Sequence, residues 1–161
     1  MKKNTILMTI LGVVIIGVIV QFALVRIDLI DTPQKAAVDF LNKYYKLDAA
    51  MSERLCEESR TENDVDVVAQ YIEKMSEQAQ ARGFGFNYMK FRLFHIETFF
   101  EKVDAKNAKV AVKARKDRAP RAAFPFVARI FGLSKVEEVE HVLELKKENK
   151  IWRVCNFEFT S

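Results

Sequence analysis

The chain has 161 residues, a formal net charge of +4, 50% hydrophobic residues and thirteen phenylalanines. That richness in core-formers excludes a disordered polymer, and the length suits one domain beside a short accessory segment. Its two cysteines and two histidines form no CxxC or Cys/His cluster, so no metal centre and no other cofactor is expected.

The first element is an apolar run from Ile6 to Val25, ILMTILGVVIIGVIVQFALV, without a charge. Twenty helical residues span about 30 Å, the thickness of a bilayer's hydrocarbon core. Lys2 and Lys3 precede it, and Arg26, Asp28 and Asp31 follow, which places the N-terminus in the cytoplasm and exports the rest. A cleaved secretory signal is the competing account. The run is longer than a signal's apolar region, however, and Gln21 to Arg26 offers bulky residues where a cleavage site needs small ones. The expected organisation is a signal anchor over residues 1–26, a short linker over 27–32, and an exported α+β domain over 33–161. The location implied is the inner (cytoplasmic) membrane, single-pass, with the bilayer as the first partner.

Thr32-Pro33 reads as a helix start, with Thr as N-cap and Pro at the first helical position. Ala36, Ala37, Phe40, Leu41, Tyr44 and Leu47 recur at helical spacing and predict one buried face. Asp48 caps a second short helix that turns Met51, Leu55 and Cys56 inward, and Glu57 to Asn63 reads as a loop. A third helix is expected from Asn63 or Asp64, burying Val65, Val68, Ala69, Ile72, Met75 and Ala79 and stopping at Gly83.

Beyond Gly83 the period changes to two. Phe91 to Val103 predicts a strand with Phe94, Ile96, Thr98 and Phe100 inward. A turn at Asp104 to Asn107 leads to a second strand, Ala108 to Arg115. Val136 to Lys147 and Ile151 to Phe159 form a second hairpin about Glu148-Asn149-Lys150. Helices followed by two hairpins give an α+β class with an antiparallel sheet.

Charge is unevenly spread. Asp31 to Gln80 holds eleven acids against six bases, whereas Lys113 to Lys135 holds seven bases and one acid. Export makes nucleic acid an unsuitable partner, which leaves a solvated basic face or an anionic surface. Between the hairpins, Arg118 to Ser134 interleaves Arg121 and Arg129 with Phe124, Phe126 and Phe131. Those five residues suit membrane or partner contact, with rings for the headgroup boundary and cations for phosphates. A flap closing the core is the alternative. Cys56 and Cys155 permit a disulfide in an exported domain or stand as two buried thiols.

The opening helix, A-A-V-x-x-F-L-x-x-Y-Y over Ala36 to Tyr45, followed by further helices and long hairpins ending in Lys150-Ile151-Trp152-Arg153-Val154, resembles the nuclear-transport-factor-two-like superfamily. The resemblance implies a curved antiparallel sheet wrapped by helices into a cone, with Phe40, Tyr44, Phe94, Ile96 and Trp152 in or near its cavity. Enzymatic branches place an Asp/Tyr or Asp/His pair in the cone. Of the polar candidates Asp39, Tyr44, Tyr45, Tyr88 and His95, none matches a catalytic motif, and no catalytic residue is assigned. His141, on a charged strand, supports no cluster. The functional expectation is a membrane-anchored, non-enzymatic interaction module, a subunit or assembly factor of an envelope complex with protein partners. A binder of small apolar ligands, or an enzyme using the cavity, is the alternative.

Overall fold

The computed structural model describes residues 12–21, 30–62, 64–102, 104–118 and 136–159. The chain divides into two compact units, Met1–Asp31 and Thr32–Ser161. In the first, residues 12–21 are helical (α1) and expose Val13, Ile16 and Ile19. Ten residues rise only about 15 Å. Among the described residues no helix is long and apolar enough to cross a membrane, and residues 6–11 and 22–25 of the apolar run lie outside them.

In the second unit, α2 (Pro33–Lys46) begins where Thr32 Oγ1 accepts from the Lys35 amide at 3.3 Å. It ends at Leu47, whose left-handed φ of 52° turns the chain. Its apolar stripe is fully used: Ala36, Ala37, Phe40, Leu41 and Tyr44 are buried. Asp48 caps a 3₁₀ turn, Ala49–Arg54, that buries Met51. Leu55 then forms a parallel bridge to Val154, and the Cys56 amide donates to the Val154 carbonyl at 2.8 Å. A minimal ribbon, β1 (Thr61–Glu62) with β2 (Val65–Asp66), occupies part of the segment read as loop and delays the next helix.

That helix, α3 (Val67–Ala81), is capped by Asp66, which accepts from the amides of Val68 and Ala69. Starting later rotates its buried face. Val68, Tyr71, Met75 and Ala79 are buried, Val65 and Ala69 are exposed, and Ile72 is half-buried. Gly83 at φ 73° stops it, with Phe84 N–H on the Ala79 carbonyl and Gly83 N–H on that of Gln80. Only a residue free of a Cβ penalty sits easily there. A 3₁₀ turn, Phe86–Met89, leads into the sheet.

The main sheet has the order β3 (Phe91–Lys102), β4 (Asn107–Arg118), β5 (Glu137–Glu148), β6 (Ile151–Cys155), all antiparallel. Together with the helices it packs a core around Phe40, Leu41, Met51, Leu55, Val110, Val112, Leu143, Leu145 and Val154. This is the expected α+β class, with helices on an antiparallel sheet.

Two strands depart from simple alternation. In β3, Phe94 pairs with Arg115 but Glu97 with Lys113, so His95 and Ile96 oppose Ala114 alone. His95 takes a left-handed φ of 48° at this bulge. An extra residue flips the side-chain alternation. Leu93 and Ile96 therefore both serve the core side, while Phe94 shares its row with Arg115 and Glu138 on the charged outer face. The expectation that Phe94 points inward is corrected. The last strand stops at Cys155 rather than Phe159, because Asn156 adopts φ 55° and diverts the chain.

Candidate functional site

Helical spacing puts Phe40 and Tyr44 one turn apart on the buried face of α2, with rings stacked at 6.4 Å. The diverted tail brings Phe157 to 5.0 Å and Phe159 to 6.0 Å from the Tyr44 ring, and Tyr71 of α3 stacks on it at 5.2 Å. Burial and the hydrogen bond to Tyr44 push the Tyr71 phenol far above its usual range. Phe40, Tyr44 and Trp152 are thus buried parts of one packed core, and Ile96 lies half-buried against it. The rings of α2, α3 and the tail meet one another here, and Tyr71, Phe157 and Phe159 also line a pocket of about 630 Å³ together with Glu73 and Lys74.

At the margin of this cluster lies a polar contact that links distant parts of the chain. Tyr45, one residue beyond Tyr44, turns toward the inner face of β5, where His141 stands between Val139 and Leu143. Tyr45 Oη and His141 Nε2 are 2.7 Å apart across 96 residues of sequence. Burial, then the neighbouring Tyr44 and Glu137, push the Tyr45 phenol up to about 12. Burial and the Lys116 ammonium lower the His141 imidazole. Both groups are therefore neutral at pH 7, and the tautomer of the ring sets whether the phenol O–H donates to a bare Nε2 or the phenol oxygen accepts from Nε2–H. Lys116 Nζ sits 3.1 Å from Glu137 and 4.9 Å from the Phe91 ring centre, closing one side. Such a pair can pass a proton, yet each partner already satisfies the other.

The remaining candidates are structural in their contacts. Burial would raise Asp39, but hydrogen bonds from Arg54 at 2.8 Å and Lys43 at 3.2 Å outweigh it and hold the carboxyl low. Tyr88 carries the Arg118 guanidinium 4.0 Å over its ring and stacks on Phe84. His95 is exposed at the bulge. Cys56 and Cys155 are joined as a disulfide, with Cα atoms 5.1 Å apart, tying the first 3₁₀ turn to β6. With Glu58 they form a group whose ligand atoms lie within 4.8 Å, but sulfurs bonded to each other offer a metal no thiolate.

Arg121, Phe124, Phe126, Arg129 and Phe131 lie outside the described residues. Of the basic run, Lys113, Arg115 and Lys116 pair across to Glu140, Glu138 and Glu137 on β5. This described part is thus a cross-strand charge ladder instead of a bare cationic face. The Tyr45–His141 contact escaped sequence reading because nothing in a strand's pattern names its partner on a helix.

No protein-family model matches the chain, and no curated protein matches it. Among solved structures it is similar to an NTF-2-like protein of unknown function from Shewanella oneidensis MR-1, at 11% identity and a TM-score of 0.41 over 76% of this chain and 94% of that one.

Proposed function

We propose that the chain is a single-pass inner-membrane protein whose exported domain is a non-enzymatic interaction module, a subunit or assembly factor of an envelope complex. The observation that carries this is the close packing of Tyr44 against Phe40, Tyr71, Phe157 and Phe159, while the pocket of about 630 Å³ beside Tyr71, Phe157 and Phe159 is also lined by the charged Glu73, Lys74 and Glu77 and so suits a polar partner surface better than an apolar ligand. The apolar run supports the anchor. The described turns of α1 expose Val13, Ile16 and Ile19 on a segment whose sequence is apolar on all sides, which suits lipid. A Cys56–Cys155 bridge suits an oxidising compartment beyond the membrane. The element order of the soluble unit fits a nuclear-transport-factor-two-like domain.

Photo-cross-linking of the full-length protein in its native membranes tests the proposal. One specific neighbour captured from the exported side is expected, with the protein retained at high salt and its own N-terminus intact. Recovery of a soluble form starting near Ala23 to Arg26, or the absence of any specific neighbour, would overturn it.

The Tyr45–His141 contact at 2.7 Å favours a second reading, an enzyme or small-ligand binder working at the rim of the aromatic cluster. Loss of biological function in a normally folded His141→Gln variant would support that reading instead.

A further inference from the structure

The main sheet has two edges, and they are built differently. The β3 edge is interrupted by the bulge at His95, a device that blunts an edge against strand addition. At the other edge, β6 pairs only with Glu144 to Glu148 and then leaves at Asn156. The first half of β5 continues in unbroken register with β4, from Glu137 onward, and among the described residues no strand covers its far side.

The register fixes which backbone groups face this open side. Glu148 and Ile151 flank a two-residue turn, Asn149-Lys150, with φ values of 50° and 69°. Residues flanking such a turn form a hydrogen-bonded pair, and direction alternates along the strand. Glu148, Lys146 and Glu144 therefore address β6. Lys147 N–H turns the opposite way, to the Lys106 carbonyl at 2.7 Å, in agreement. Continuing the alternation, Glu138, Glu140 and Val142 aim their N–H and C=O groups at the open edge. Beside it runs a groove of about 490 Å³, lined by His141, Val142, Leu143, Asn156 and Phe157.

Side chains on the same residues specify the occupant. Glu138 and Glu140 each meet a base on β4, Arg115 at 3.0 Å and Lys113 at 3.5 Å, and expose 77% and 55% of their side chains. Val142, 55% exposed, ends a row through Ala111 to Phe99. A strand added here would stand cross-strand to two carboxylates and one valine. A second copy of β5 is a poor candidate: antiparallel registers over this edge set Glu138 or Glu140 against an acid of the other copy, and like charges opposite one another destabilise.

We propose that the Glu137 to Leu143 edge of β5 docks an extended segment of a partner protein, with basic residues opposite Glu138 and Glu140 and an apolar residue opposite Val142. This deepens the interaction-module reading and rests on it. The mode is strand addition: main-chain hydrogen bonds supply affinity, and alternate side chains supply selection.

The test uses full-length protein in lipid nanodiscs and a labelled threonine–valine strand peptide carrying two arginines and a valine at alternate positions. A control peptide has glutamate in place of arginine. The arginine peptide should bind about tenfold more tightly than the control, and it should slow amide exchange at Glu138, Glu140 and Val142. Glu140→Pro removes an N–H that points away from β4, so the ladder to β4 persists while the edge is blocked; binding should fall about tenfold. Glu138→Lys with Glu140→Lys should reverse the preference between the two peptides. Equal binding of both peptides, protection confined to other residues, or unchanged binding by a folded Glu140→Pro variant overturns the proposal. Should the proline variant fail to fold, the lysine pair decides, and an unreversed preference overturns it. A neighbour cross-linked elsewhere on the domain, with no peptide binding, removes this edge and leaves the interaction module standing.

Discussion

Replacing Cys56 and Cys155 together by Ala should be the most destabilising change available outside the packed core. The bridge closes a loop with a sequence separation of 99. In the chain-entropy account a loop of that length restricts the unfolded chain by about 4–5 kcal/mol at 25 °C. Part of the native geometry survives without it, because the Cys56 amide keeps its 2.8 Å bond to Val154 and Leu55 keeps its bridge. A compact denatured state also trims the entropic term, so a loss of about 3–5 kcal/mol is expected. For a domain of this size that lowers Tm by roughly 10–20 °C. Thermal and urea unfolding of the full-length protein in detergent, with and without reductant, measures it. Cys56 is fully buried, so reduction should need prior unfolding. Reductant should then do nothing to the double variant. Two reactive thiols in denatured, unreduced protein, or a Tm unmoved by reduction after unfolding, would refute the reasoning.

Three further outcomes follow from the same contacts. The folded pKa of His141 lies below its unfolded 6.5, so the unfolded chain binds the proton more readily; stability should fall as pH drops below about 6.5 and level off once it passes the lowered folded value. His141→Gln should flatten that part of the stability-versus-pH curve, measured by urea unfolding. His95→Gly should stabilise by about 0.5–1 kcal/mol, since glycine adopts the left-handed bulge conformation without a Cβ penalty; an equal destabilisation would mean that the ring's contact with Phe94 matters more. Tyr44→Ala should cost about 3–5 kcal/mol and admit an apolar dye into the space left between Phe40, Tyr71 and Phe157, which equilibrium denaturation and dye titration would read.

Much of this architecture is legible in the sequence because local chemistry decides it. Thr32-Pro33 can cap α2 whatever surrounds it, and its stripe from Ala36 to Leu47 has only one amphipathic solution. Gly83 stops α3 for the same local reason. The errors arise where one residue resets a period. A short ribbon at Thr61–Asp66 moves the α3 start past Val65 to Val67 and replaces Ala69 by Tyr71 on the buried face. One extra residue at His95 sends Phe94 to the outer face of β3. A left-handed Asn156 ends β6 four residues early. His95 and the ribbon carry no composition signal, and an asparagine such as Asn156 tolerates the left-handed region without requiring it, so each is settled by the tertiary register around it.

The sites were less legible than the fold for a related reason. Tyr45 and His141 look unremarkable alone, one on a helix full of apolar residues and one on a strand full of glutamates. Their contact is settled by β5 stacking beside β4 beneath α2, a fact of topology rather than of spacing. The basic run misled in the opposite direction. Lys113, Arg115 and Lys116 stand out as an excess of charge along the chain, yet sheet pairing sets each of them against a β5 glutamate. Neutralised across one edge of β5, those glutamates still face outward at the other. On the proposed docking edge it is therefore the glutamates, not the bases that stand out along the chain, that would meet a partner.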